Sequence, residues 1–74
     1  MITAADKLRC AERELANRQR AYPGRVQRRR MTAAKAVHEL ACMRAIVEDY
    51  RAAAEWERSI SPPLPMFFKD APLP

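Results

Sequence analysis

Seventy-four residues make one thin domain at most, because a chain this short buries only about 60% of its unfolded surface and often needs disulfides, metals or partners. Two cysteines exclude a disulfide-dense secreted scaffold, and the longest charge-free run, residues 59–68, is broken by three prolines and cannot span a membrane. The net charge of +5 is lopsided: residues 1–37 hold ten Lys/Arg and three Asp/Glu, residues 38–74 four and six, which implies an acidic partner, protein or nucleic acid.

The N-terminal MITAADKLRC is charged within seven residues and has no apolar core. No signal peptide is visible, so a cytoplasmic protein with reduced thiols is expected. Arginine outnumbers lysine eleven to three. A high genomic GC content would give the same bias, so it says little about function.

Thr3 to Asp6 reads as a helix start, with Thr3 as N-cap and Asp6 reaching back to it. Ala4, Leu8, Ala11, Leu15 and Tyr22 then share one helical face, and Glu14 and Arg18 form an i,i+4 pair on its flank. At Pro23-Gly24 the helix either stops at Tyr22 or continues with a kink. Val26 keeps the apolar phase, which favours continuation to about Arg29. Met31 falls in a short connection, and Thr32 caps the second helix.

The stretch from Thr32 to Glu57 carries apolar residues at Ala33, Ala36, Leu40, Met43, Val47, Tyr50 and Ala54. These steps of three and four form the seam of a helix packed lengthwise on another. Ile46 and Ala53 broaden it, and no Gly or Pro interrupts it. The predicted fold is all-α: an antiparallel hairpin of helices over about 3–29 and 32–58, the antiparallel arrangement following from the short connection. Two helices leave the seam around Ile46, Tyr50 and Trp56 uncovered. A homodimeric four-helix bundle or the rest of the chain would complete it.

Residues 59–74, SISPPLPMFFKDAPLP, form a separate segment whose five prolines favour extended backbone. Its apolar residues either fold back on the hairpin or offer Met66, Phe67 and Phe68 to a partner. An exposed Phe pair on a monomer is an aggregation liability, which favours folding back. Pro62 to Pro65 also matches PxxP, a pattern common by chance.

Little here supports catalysis. One glycine excludes phosphate-cradling loops of the GxGxxG or P-loop kind, and the two serines sit beside prolines without a nucleophile-elbow context. The helical carboxylates lie among arginines and read as a solvated, salt-bridged face. His38 and Cys42 are one turn apart, but the usual CxxC partner of a zinc site is missing, so the bland reading is an edge histidine and a small buried cysteine. Cys10 projects away from the stripe, and no disulfide to Cys42 is expected. No enzyme activity, metal or cofactor is predicted.

The basic cluster carries the stronger signal. Arg25, Arg28, Arg29 and Arg30 gather at the hairpin tip, with Arg18, Arg20 and Lys35 close by. Arginine forks bind carboxylates and phosphates bidentately. Neither aromatic interleaving nor a short recognition helix accompanies them, so sequence-specific nucleic-acid reading is disfavoured.

From Lys7 to Arg51 the wording resembles a group of small proteins encoded in phages and prophages of high-GC proteobacteria. The match runs through Cys10-Ala11-Glu12-Arg13-Glu14, Arg20-Ala21-Tyr22-Pro23, Val26, Arg30-Met31-Thr32, Lys35-Ala36, Glu39, Met43, Ala45-Ile46 and Asp49-Tyr50-Arg51. Gly24 departs from the larger residue expected after Pro23, and the proline-rich segment lies outside the match. The resemblance carries over no catalytic residue. The phage setting it implies points, by analogy of context, to stoichiometric inhibition of a bacterial host protein or defence complex, in the manner of anti-CRISPR proteins; residue chemistry makes Arg25, Arg28, Arg29, Arg30, Met66, Phe67 and Phe68 the expected contacts. The alternative is an accessory protein whose tip arginines contact DNA or RNA phosphates.

Overall fold

The computed structural model describes residues 1–60. It is a hairpin of two helices, α1 (Ala4–Gln27) and α2 (Ala33–Ile60), packed along their lengths. The proline-rich segment, with Met66, Phe67 and Phe68, lies outside the described residues, apart from Ser59 and Ile60, which α2 includes. The second helix thus runs past 58, because the first proline that would break it is Pro62.

The start of α1 is a full capping box. The Asp6 N–H donates to the Thr3 hydroxyl at 3.1 Å, and the Thr3 N–H donates to the Asp6 carboxylate at 3.0 Å. The backbone and side-chain hydrogen bonds to Thr3, then the Arg9 guanidinium, hold the Asp6 carboxyl below its ordinary value of 3.8. Its folded-state pKa is depressed, so the stability of the box is present above that value and is lost as pH falls through the folded pKa. Thr32 caps α2 with one half of this arrangement, its hydroxyl accepting from the Lys35 N–H at 3.1 Å.

Helix α1 continues through Pro23 and Gly24 to Gln27. Proline removes one backbone donor, but burial of Tyr22 at 7% exposure fastens that turn to the core. The core itself is small and apolar: Ala4, Ala11 and Tyr22 on α1 face Ala36, Met43 and Val47 on α2. Leu8, Leu15 and Tyr50 pack around Ala11, Met43 and Val47. No polar or charged side chain among the described residues is buried.

Polar ties cross the hairpin at three levels. At the open end the Ala4 N–H, an orphan donor of the first turn, donates to the Glu57 carboxylate at 3.2 Å. This also sets a negative charge at the positive end of the α1 dipole. Arg51 meets Glu12 at 3.5 Å. Nearer the tip, Arg18 pairs with Glu14 at 2.8 Å and reaches Glu39 across the hairpin at 4.0 Å. The Arg18 pKa is raised, chiefly by the hydrogen bond to Glu14.

Among the described residues, one flank is open. Ile2, Asp6, Lys7, Cys10 and Glu14 of the N-terminal arm line a mostly apolar groove with Met43, Ile46 and Tyr50. Ile2, Ile46 and Ile60 are 71%, 40% and 54% exposed, far more than a core position tolerates.

Candidate interaction site at the hairpin tip

The connection between the helices is built by the end of α1. Arg28 is its C-cap and Arg29 the residue beyond, in the left-handed region at φ 59°. The Arg30 N–H donates to the Arg25 carbonyl at 2.8 Å, and the Arg29 N–H to the Val26 carbonyl at 3.0 Å. These are the two bonds of a Schellman motif, whose left-handed position is usually glycine. A non-glycine residue there costs roughly 1–2 kcal/mol. Arg29→Gly is therefore expected to raise stability by about 1 kcal/mol, or the melting temperature by about 4–8 °C. Thermal denaturation followed by circular dichroism reads this, and an unchanged or lower midpoint would contradict the assigned backbone.

The chain's one glycine stands elsewhere, inside α1. A Cβ at Gly24 would come within 3.2 Å of the Arg28 guanidinium, which lies over that turn. Arg25 stacks its guanidinium 5.6 Å from the centre of the Tyr22 ring. The four arginines expected at the tip are therefore together: Arg25 on the last turn, Arg28 and Arg29 at the cap, Arg30 beyond it. All four are exposed.

Of the expected neighbours, Lys35 lies as expected and Arg18 does not. Lys35 joins the tip, lining a shallow cleft with Val26, Arg29, Arg30, Met31, Thr32 and Ala33. Arg18 leaves it, held by Glu14 and Glu39. The first turn of α2 contains no acidic residue, although the helix dipole would favour one there. Between Leu15 and His38 the sequence has seven cations and not one carboxylate. Ion pairs among the described residues use Arg9, Arg18, Arg51 and Arg58; none uses Arg25, Arg28, Arg29, Arg30 or Lys35. The tip is a compact set of guanidinium and ammonium donors facing solvent.

Cys42, expected to be buried, is exposed, because the core side of α2 runs through Ala36, Met43 and Val47 and leaves Cys42 on the flank. Its Sγ lies 3.5 Å from His38 Nε2. No group of three or more His, Cys, Asp or Glu among the described residues is arranged to hold a metal ion. Cys10 is likewise exposed and unpaired with Cys42. No described helix is long and apolar enough to cross a membrane.

No protein-family model, curated protein or solved structure matches the chain.

Proposed function

We propose that the protein works without catalysis, by stoichiometric binding. Its arginine tip docks on an acidic surface of a bacterial host protein or defence complex and inhibits it. The observation that supports this is the gathering of five cations without ion pairs at one end of the hairpin. Arg9, Arg18, Arg51 and Arg58 on the hairpin body are engaged in ion pairs and its other cations are spread along it, whereas Arg25, Arg28, Arg29, Arg30 and Lys35 sit together and have none among the described residues. Such donors suit bidentate carboxylate recognition. The resemblance to phage-encoded proteins supplies the setting, in which a small binding protein occludes a larger host machine.

The same donors suit a phosphate backbone, which makes nucleic-acid binding the second reading. Its affinity would fall steeply with salt through counterion release. A pull-down from bacterial lysate tests both, with the wild-type chain and its R28E/R29E/R30E variant as baits, each with and without nuclease. The first reading expects a discrete protein captured by the wild type alone, equally with and without nuclease. Capture lost on nuclease treatment would move the function to nucleic acid. Equal capture by both baits would remove the tip from either reading.

A further inference from the structure

The outer face of α2 carries a pair of metal-ligating side chains that neither the core nor the tip uses. His38 and Cys42 stand one turn apart, both exposed, with Cys42 Sγ 3.5 Å from His38 Nε2. We infer that they form half of a zinc site, which a second copy of the chain completes as a Cys2His2 tetrahedron.

The separation of the two ligand atoms carries the assignment. Zinc–sulfur bonds of about 2.3 Å and zinc–nitrogen bonds of about 2.0–2.1 Å, meeting at the tetrahedral angle, put sulfur and nitrogen about 3.5–3.6 Å apart. A linear two-coordinate ion with bonds of that length would need about 4.3 Å. The pair therefore matches the tetrahedral bite as it stands. Its i,i+4 spacing is also one by which helices present two zinc ligands on one face. One chain stops at two ligands, because no third His, Cys, Asp or Glu among the described residues joins them. A two-fold axis through the ion doubles the pair to four. Ala34, Ala41 and Ala45 share this side of α2 and are exposed. Such small side chains let a second helix come close, since the interaxial distance is set by the residues at the contact. Two thiolates offset the charge of the ion, so the shared centre is neutral and needs no further carboxylate. The inference concerns the outer face of α2 and is independent of what the tip binds.

Zinc titrated into the full chain under a phosphine reductant, followed by native mass spectrometry and sedimentation velocity, tests it. The expected result is a doubling of mass with one ion per two chains, reversed by EDTA. Removing a side chain that merely orients a ligand costs about 10–100-fold in metal affinity. C42S and H38A, each deleting two of the four ligands, should therefore weaken zinc binding by at least ~100-fold and abolish the doubling. Both positions are exposed, so the helical circular dichroism spectrum should be kept. C10S should behave as wild type. Cobalt(II) in place of zinc should give the intense visible absorption of a tetrahedral, thiolate-bound ion. No zinc binding, one ion per chain without a change in mass, or binding that survives C42S would each overturn the inference. So would a doubling that resists EDTA and appears only without reductant, which would make the link a disulfide.

Discussion

Reversing Arg28, Arg29 and Arg30 to glutamate together is expected to abolish partner binding while leaving the hairpin folded. Each charge-assisted hydrogen bond lost is worth about 1.5–3 kcal/mol, and the new glutamates repel an acidic surface. Three such changes lower affinity on the order of a thousandfold or more. On the folding side two modest effects oppose each other. Arginines at the end of α1 interact favourably with its dipole, by about 0.3–1 kcal/mol each. Against that, the reversal relieves repulsion in a tip with no carboxylate between Leu15 and His38. Glutamate at position 29 inherits the same left-handed strain as arginine, so the Schellman turn is not altered. The melting temperature should therefore stay within a few degrees of wild type. Collapse of the fold would make these arginines structural, and retained binding would place the contact elsewhere.

The second large effect lies in the core. Met43, 6% exposed, packs with Ala11 and Val47 where α1 and α2 meet. Met43→Ala removes a long side chain from a site with few neighbours able to refill it, at a cost of about 2–5 kcal/mol. Small domains have about 0.05–0.15 kcal/mol of stability per residue, so this chain holds a few to roughly ten kcal/mol in all. The urea midpoint should fall by about a third or more, and the variant will be partly unfolded at the weaker end of that range. Val37, 67% exposed on a flank of the same helix, is the control. Val37→Ala should move stability by less than about 0.5 kcal/mol. Equal losses at the two positions would mean that the seam has been placed on the wrong face.

That seam was legible in the sequence, because steps of three and four through Ala36, Leu40, Met43 and Val47 leave only one face for burial. Both caps were legible as well, since Thr3 and Thr32 each precede a helix-forming run. What a single helical wheel does not contain is the alignment of one helix against the other. Arg18 reads as one more cation of the cluster until antiparallel register puts Glu39 opposite it. Cys42 reads as buried until the neighbouring helix is seen to cover Met43 and Val47 more closely than their flank. The left-handed turn at Arg29 gave no sign of itself, because the usual mark of such a turn is glycine or asparagine, and here three arginines occupy it. The arginine cluster was visible as composition; its lack of ion-pairing partners became visible only as geometry.

The short connection at Arg28 to Thr32 also sets the order in which the hairpin assembles. Arg18 and Glu39 are 21 residues apart, whereas Ala4 and Glu57 are 53 apart. Closing the shorter loop costs about 0.8 kcal/mol less chain entropy, so pairing starts at the tip and zips toward the termini. The earliest contacts are then made among the densest positive charge in the molecule. Added salt screens that repulsion over distances near 10 Å. Refolding in stopped-flow experiments should accelerate with ionic strength while unfolding hardly changes, the repulsion having been met before the transition state is reached. The surface proposed to meet an acidic partner is, on this account, also what slows folding.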